Sequence, residues 1–449
     1  MAGGRTITKT AERRRAHDTA KPFLTIVLQC DRPLQPGARF CIGDAGAVSI
    51  GRADALCAKL ESDVLEIGIP DQRISSAHLR LECVLGAWMA EDDGSKNGTL
   101  IRGRRITRER LSDGQILELG NTFLLFRAAL RAHNTPALLD GRDLRPEADG
   151  LATLSPAFAS ELERLRAVAA SRVPVLLRGE SGAGKEVLAA AVHRLSGRRG
   201  AFQPVNCGAI PPSLIESNLF GHRRGAFSGA VDDQPGLVRG AHRGTLLLDE
   251  IGDLPLPAQA ALLRVLQEDE VLPVGAARPV RVDLRVIAAT HQDLDALVAE
   301  RRFRPDLLAR VSGYVCQVPP LRERREDFSL IVAALLEKLG ATDATFSADA
   351  ARLLLSYEWP LNVRELEKCL ASAVALARGQ RITSEHLPAS VIAEPAAPAP
   401  DQRRRDELIT QLRAHRGNVS AVARAMGKAR AQVQRWLRRF RIDPFAFRR

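Results

Sequence analysis

The spacing of apolar and polar positions divides the chain into three textures. Within residues 23–128, short alternating stretches at 23–28, 78–83, 116–119 and 122–126 are separated by turns rich in Gly, Asp, Asn and Ser. Strand-length segments with period-two alternation and frequent turn signals predict an all-β sandwich. Within residues 151–392, apolar runs at 173–177, 244–248 and 284–288 alternate with segments of helical period. That pattern predicts an α/β domain, closed by a helical lid over about 320–392. Residues 405–449 are helical in period, and Val433, Trp436, Leu437 and Phe440 recur at i, i+3, i+4 and i+7. They predict the core face of the last of three helices within 408–442, with Asn418 capping the second helix and Gly427 ending it. Residues 1–22 lack periodicity and read as a flexible tail. Two breaker-rich stretches read as linkers: 129–150, with Pro136, Gly141, Pro146 and Gly150, and 393–404, with three prolines among alanines.

Composition narrows the class. A chain of 449 residues exceeds what one hydrophobic core organises, so several domains are expected. No apolar run approaches the roughly 20 residues that cross a bilayer. The start, Met1-Ala2-Gly3-Gly4-Arg5, lacks the apolar stretch of a signal peptide. The seven cysteines are scattered and form no CxxC pair, which speaks against a disulfide framework or a zinc site. A cytoplasmic protein with no membrane partner is therefore expected. The formal charge is +12, and residues 401–449 alone hold 14 Lys/Arg against 4 Asp/Glu, a local +10. The excess sits at one end and points to a nucleic-acid partner there.

Chemistry enters at Gly179-Glu180-Ser181-Gly182-Ala183-Gly184-Lys185, which follows the apolar run at 173–177 and opens a helical segment. Glycines let backbone N–H groups wrap phosphates, the helix N-terminus favours their charge, and Lys185 reaches the β- and γ-phosphates of ATP. A Gly-rich turn without nucleotide is the plainer alternative. Glu186 stands where many P-loops carry a hydroxyl for Mg2+. A second apolar run ends in Asp249-Glu250. Asp249 would hold Mg2+ and Glu250 would act as general base on the attacking water. Alone, such a pair is more often a solvated turn; its position downstream of a P-loop favours the chemical reading.

The stretch 202–325 resembles the central AAA+ domain of bacterial enhancer-binding proteins that activate sigma-54 RNA polymerase. The resemblance rests on Val205-Asn206-Cys207, Glu216-Ser217-Asn218-Leu219-Phe220-Gly221-His222, Gly225-Ala226-Phe227-Ser228-Gly229-Ala230, Leu262-Leu263-Arg264-Val265-Leu266-Gln267-Glu268 and Val318-Pro319-Pro320-Leu321-Arg322-Glu323-Arg324-Arg325, and it extends over about 151–392. It implies that Glu186 after the P-loop lysine is usual, that Asn206 restrains the catalytic Glu250, and that Thr290 and His291 sense the γ-phosphate. It further implies that Arg304 and Arg310 are arginine fingers inserted by a neighbouring subunit, so that hydrolysis needs a hexameric or heptameric ring, and that Arg364 of the lid senses the nucleotide. Leu361 replaces the usual Gly before this lid motif. The loop Gly225, Ala226, Phe227, Ser228, Gly229, Ala230 would be the mobile contact with sigma-54. Phe227 has no apolar neighbour at strand or helix spacing, and Ser228 keeps the hydroxyl but loses the methyl of the usual Thr.

The N-terminal sandwich is similar to forkhead-associated (FHA) domains, in Gly51-Arg52, Ser75-Ser76-Ala77-His78 and Asp92-Asp93-Gly94-Ser95-Lys96-Asn97-Gly98-Thr99. The similarity implies a phosphothreonine receptor in which Arg52 and Ser75 hold the phosphate, Asn97 fixes the peptide backbone and His78 braces the loops. The partner would be a phosphothreonine protein or a Ser/Thr kinase. Ser76 replaces a common Arg and removes one cation. Residues 405–449 resemble the Fis-type helix-turn-helix that ends this family's chains. Arg430, Gln432, Gln434, Arg435, Arg438 and Arg439 are the candidate contacts to upstream enhancer DNA, bound as a dimer. The sequence thus predicts an ATPase that remodels the sigma-54 holoenzyme under phosphothreonine control. A DNA-bound AAA+ regulator or phosphopeptide scaffold that does not act through sigma-54 stays open as the alternative.

Overall fold

A computed structural model describes residues 20–131, 136–144, 150–393, 400–440 and 442–447. The alternating N-terminal stretches become β1 (Ala20–Gln29), β2 (Ala38–Cys41), β3 (Ala47–Arg52), β4 (Cys57–Glu61), β5 (Val64–Ile69), β6 (Leu79–Val84), β7 (Ala87–Asp92), β8 (Thr99–Ile101), β9 (Arg104–Ile106), β10 (Arg108–Arg110), β11 (Ile116–Leu119), β12 (Thr122–Arg131) and β13 (Leu138–Asp140). Among the described residues they form two sheets, ordered β13-β2-β1-β12-β11-β8-β9 and β10-β7-β6-β3-β5-β4. Inward residues of both sheets, including Leu24, Phe40, Ile50, Ile67, Leu81, Leu117 and Phe126, make one buried core. The mostly antiparallel ladders let outward positions stay polar.

The predicted boundaries shift in three places. β1 begins at Ala20 and pairs Ala20 with Arg131, so the sandwich takes in the end of the expected tail. The expected linker 129–150 supplies β13, whose Leu138 and Asp140 pair with Phe40 and Ala38 of β2. A three-residue strand between breakers carries no periodic signal, and for that reason the pattern reads as linker. Of the linker expected at 393–404, residues 394–399 lie outside the described residues, and a helix Pro400–Ala414 already begins within it.

The central domain is built on a parallel sheet of β14 (Val175–Arg178), β15 (Phe202–Asn206), β16 (Thr245–Asp249), β19 (Arg285–Thr290) and β20 (Tyr314–Gln317), in the order β15-β16-β19-β14-β20; β17 (Glu270–Val271) and β18 (Val280–Arg281) form a separate ribbon. Its central strands β14, β16 and β19 are apolar along most of their length because helices cover both faces. The register sets Asn206 opposite Asp249, Asp249 opposite Ala289 and Arg178 opposite Thr290, so the carboxyl ends of four neighbouring strands finish on one line. Such an edge is where α/β sheets bind ligands. The helices Phe328–Lys338, Ala348–Ser356 and Asn362–Ala377 form the lid.

The sandwich is docked on this lid. Ser329 Oγ donates to the carbonyls of Ile26 (3.3 Å) and Pro36 (3.0 Å), and a Cβ at Gly37 (φ +74°) would sit 2.2 Å from that oxygen. The Phe346 amide donates to the Cys30 carbonyl at 2.8 Å. Arg352 reaches both oxygens of Glu118, and Arg127 reaches the buried Glu326 at 3.1 Å. Arg39, 6% exposed, donates to the Leu154 carbonyl at 2.6 Å.

Residues Pro388–Arg449 form a separate compact unit. Its helices Pro400–Ala414, Val419–Ala425 and Arg430–Arg439 close over Leu408, Leu412, Val422, Ala423, Val433 and Leu437.

Candidate functional site

The P-loop leaves β14 and runs into the helix Lys185–Leu195. Gly182 and Gly184 hold φ of +75° and +100°, a region that glycine alone enters without strain. Gly182 is closed sterically as well, since a Cβ there would lie 2.2 Å from the Leu361 carbonyl. Lys185 is 6% exposed and donates to the carbonyls of Gly179 (2.8 Å) and Glu180 (3.1 Å). Burial lowers its pKa, while Glu250 and Asp249 act in the opposite sense. Ala183 is buried beneath the loop and Glu186 is exposed on the first helical turn.

Asp249 ends β16, and Glu250 follows at φ +53°, a conformation costly for a non-glycine residue. Burial and the charge of Glu250 raise the Asp249 pKa against the pull of Lys185. The Glu250 carboxylate faces two residues, Lys185 with Nζ at 3.8 Å and His291 with its backbone N–H at 3.2 Å and Nδ1 at 2.8 Å. A carboxylate only accepts, so the ring proton sits on Nδ1. Thr290 is fully buried and its hydroxyl accepts from the Gln292 amide. Asn206, one strand away, accepts from the amides of Gly208 (3.0 Å) and Ala209 (3.2 Å) and caps the turn Cys207–Ala209. The side chain hydrogen-bonded to Glu250 in this structure is therefore that of His291, while Asn206 caps its own turn.

The two candidate finger arginines have partners within the chain. Arg304 lies just before the helix Pro305–Val311 and grips Asp306 through Nε (3.0 Å) and Nη2 (2.7 Å). Arg310 donates to the Leu266 carbonyl through Nε (3.0 Å) and Nη2 (2.7 Å).

The lid meets the P-loop through Arg364, as expected, and through Arg322 and Asn362, to which sequence reasoning assigned no role. Arg322 binds both oxygens of Glu180, at 2.5 and 2.7 Å, and Asn362 donates to Glu180 and to the Ser181 carbonyl. Arg322, then Asn362, hold the Glu180 carboxyl down to about 2. Arg364 donates to Ser181 Oγ at 3.2 Å, and the Val363 amide to the Gly182 carbonyl at 3.1 Å. Leu361 has φ −102°, so glycine is not required there; Trp359 and Asn362 hold the positive φ values of this turn. The one available signal for Arg322 was its place in the Val318-to-Arg325 motif.

Gly225 and Gly229, at φ +79° and +104°, fold the candidate contact loop into a hairpin closed by the Gly225 amide on the Ala230 carbonyl (2.8 Å). Phe227 is 38% exposed, and Ser228 beside it is exposed. The Phe227 ring has a neighbour that spacing did not reveal: it rests edge-on against His222, with centroids 4.9 Å apart. Ala226 abuts Gly275, where a Cβ would meet the Ala226 Cβ at 2.9 Å.

In the sandwich, three loops come together at Arg52, Ser75 and Asn97. Gly51 admits no side chain, since a Cβ would fall 1.9 Å from the Ser76 carbonyl. The Arg52 amide donates to the Ser75 carbonyl, and Ser75 Oγ accepts from the Lys96 amide at 3.1 Å. His78, fully buried, accepts the Ser75 amide on Nδ1 and has Nε2 3.4 Å from the Gly98 carbonyl, so its ring spans two loops. Burial lowers its pKa. Asn97 donates to the Arg73 carbonyl at 2.7 Å. From there a chain of bonds continues: Arg73 amide to Asp71, Asn121 amide and Thr122 hydroxyl to Asp71, Asn121 side chain to Asp31, and Arg381 of the lid to Asp31.

In the C-terminal unit Asn418 accepts from the amides of Ser420 and Ala421, and Gly427 turns at φ +61°. Arg430, Gln434, Arg435 and Arg439 are exposed and Gln432 is half-buried; the Arg438 side chain lies outside the described residues. Val433 and Leu437 are buried, with Trp436 and Phe440 packed beside them.

Comparison with known proteins agrees with this layout. The sigma-54 interaction domain family matches residues 151–317, the AAA+ ATPase lid domain 322–404 and the FHA domain 48–120. The transcriptional regulatory protein GlrR of Escherichia coli K12 is 40% identical over 310 residues, 67% of this chain and 70% of that protein. The regulatory protein AtoC of the same strain is 40% identical over 313 residues, 65% of this chain and 68% of that protein. The crystal structure of NtrX from Brucella abortus with ATP has a TM-score of 0.50 at 33% identity, covering 66% of this chain and 70% of that one. Among the described residues no helix is long and apolar enough to cross a membrane.

Proposed function

The chain belongs to the bacterial enhancer-binding proteins with a sigma-54 interaction domain, and from that premise we propose which residues carry each part of its work as a sigma-54-dependent transcription activator. It is an AAA+ ATPase with a phosphothreonine-binding FHA domain. The observation that carries the assignment is the convergence of Lys185, Glu250 and His291 at one sheet edge, with the two ion-pair and hydrogen-bond distances of 3.8 and 2.8 Å.

Lys185 leaves its carbonyl partners to take the β- and γ-phosphates of ATP, and the amides of residues 179–186 wrap them. Glu250, oriented by His291, accepts the proton of the attacking water, and Asp249, which ends β16, is a second carboxylate beside it. Asp249 would hold Mg2+, which neutralises phosphate charge when bound. Thr290 and His291 register the γ-phosphate, Arg364 and Ser181 close the lid side, and Asn206 acts only after release from its turn. Arg304 and Arg310 serve the neighbouring subunit's site in a hexameric or heptameric ring. The solved NtrX complex with ATP supports a nucleotide site of this kind.

Phe227 and its flanking residues 225–230 transmit the cycle to the sigma-54 holoenzyme. Arg52, Ser75 and Asn97 capture a phosphothreonine protein or kinase, and the bonded chain to Arg381 lets the lid register that event. Arg430, Gln432, Gln434, Arg435, Arg438 and Arg439 read enhancer DNA from a Fis-type helix-turn-helix dimer, in the cytoplasm. The test is ATP turnover together with open-complex formation on a sigma-54 promoter. Lys185→Ala should lose both and Phe227→Ala only the second; activation that persists in both variants refutes the assignment.

A further inference from the structure

Gln259 is a fully buried polar residue on the helix Leu256–Glu268, and its amide makes three hydrogen bonds. Its Nε2 donates to the Leu254 carbonyl at 2.7 Å and to the Arg302 carbonyl at 3.0 Å, and its Oε1 accepts from the Arg304 amide at 2.8 Å. The orientation is fixed by its partners, because the flipped amide would set NH2 against an N–H and its oxygen against two carbonyls. Both ends of this bridge matter. Leu254 closes the short turn Ile251–Asp253 that directly follows Glu250. Arg302 and Arg304 belong to the strap before the helix Pro305–Val311, and Arg304, as the N-cap residue, has a backbone N–H that the helix itself leaves without an acceptor. The strap has few other ties: the amides of Arg302 and Phe303 share the Leu297 carbonyl, and Phe303 is buried in the core.

We propose that Gln259 is a positioning residue for ATP hydrolysis in the adjacent subunit: it fixes the backbone from which Arg304 is presented and ties it to the turn behind Glu250. A ring made this way holds the exported arginine in register with the exporting subunit's own site. The glutamine touches no substrate, and its effect passes through Arg304. The proposal rests on the reading of Arg304 as a residue that acts across the subunit boundary. The chemistry that needs positioning is large, since an arginine finger is worth about 10³–10⁵ in rate, and misplacement by about 1 Å costs about 10²-fold.

The experiment uses full-length chains mixed in equal amounts. Gln259→Met keeps side-chain volume and removes all three bonds; alone it should bind a fluorescent ATP analogue normally and lose ATP turnover by about tenfold or more. Glu250→Gln cannot hydrolyse but offers an intact Arg304. Mixing the two should restore turnover to the level of a parallel mixture of Arg304→Ala with Glu250→Gln. Restoration in the Arg304→Ala mixture alone overturns the role of Gln259 and leaves the finger standing. Restoration in neither overturns the finger reading beneath it. Hydrogen exchange supplies a second measurement. In Gln259→Met, residues 302–308 should exchange faster while 179–186 stay unchanged. Equal rates throughout overturn the proposal, as does faster exchange over both segments with loss of nucleotide binding, which would make Gln259 a general core residue.

Discussion

Releasing the sandwich from the lid is the perturbation whose size the structure best defines. Glu118 sits on β11, yet its carboxylate, 7% exposed, faces Arg352 of the lid helix Ala348–Ser356, with Nε at 2.8 Å and Nη2 at 3.1 Å. Breaking one partner of a fully buried pair costs about 3–5 kcal/mol. Arg352 is one-third exposed and retains Asp349, so solvent and the second carboxylate absorb much of that. Glu118→Ala should therefore weaken docking by about 1–2 kcal/mol, a factor of about 5–30 in the local opening equilibrium. Native-state hydrogen exchange on the full chain reads this directly. Amides of β11 and of the Ala348–Ser356 helix should exchange faster by that factor, while those of β16, shielded within the parallel sheet, should not change. Arg352→Ala added to Glu118→Ala should contribute little more, because the two residues act through one contact. Unchanged exchange in Glu118→Ala, or full additivity of the two substitutions, would refute the docking argument.

Other expectations follow from single sites. Phe227→Ala removes one aromatic contact to His222 from a 38%-exposed ring, worth about 0.5–1.5 kcal/mol, so melting should hardly move while open-complex formation disappears. Ser228→Thr restores one methyl, about 1 kcal/mol if buried on the target, and should raise open-complex formation up to about fivefold in a single-round transcription assay. His78 has a folded pKa below its ordinary 6.5 through burial, so the unfolded chain takes up the proton first as pH falls. Its contribution to stability is intact above about 6.5 and is lost below it; the urea midpoint of the sandwich should drop from pH 7.5 to 5.5 more steeply in wild type than in His78→Gln. Enhancer binding should weaken with salt at a log-log slope steeper than about −3, and Arg435→Ala should flatten that slope by about one unit.

What the sequence makes legible is what is contiguous. The P-loop, the acidic strand end, the three FHA loops and the capped helices each occupy a handful of consecutive residues, and their backbone demands are written as glycines, prolines and caps. Gly182 and Gly51 show why: the first needs φ +75°, and a Cβ on the second would fall 1.9 Å from the Ser76 carbonyl, so no other residue fits. Partnerships across the fold leave no such trace. Arg322 and Glu180 are 142 positions apart, and Arg352 and Glu118 are 234 apart, so neither period nor spacing can pair them. Gln259 reads as one polar position in a helix rather than as a bridge, and Leu361 reads as a departure although its backbone, at φ −102°, asks nothing of glycine. β13 escaped because three residues cannot display an alternation.

The lid is the element that these long-range contacts share. On one side Asn362, Val363 and Arg364 bond to Ser181 and Gly182 of the P-loop; on another Ser329, Phe346, Arg352 and Arg381 bond to the sandwich. A nucleotide that moved the first set and a phosphopeptide that moved the second would therefore act on the same group of helices. Linkage then makes their effects reciprocal: whatever factor bound peptide applies to nucleotide affinity, bound nucleotide must apply to peptide affinity. On the proposed reading the sandwich would act on the nucleotide through the lid, without approaching the phosphates. Its leverage is limited to the differential bonding it has with the lid, to which the Glu118–Arg352 contact, at about 1–2 kcal/mol, is one contribution beside those of Ser329, Phe346 and Arg381.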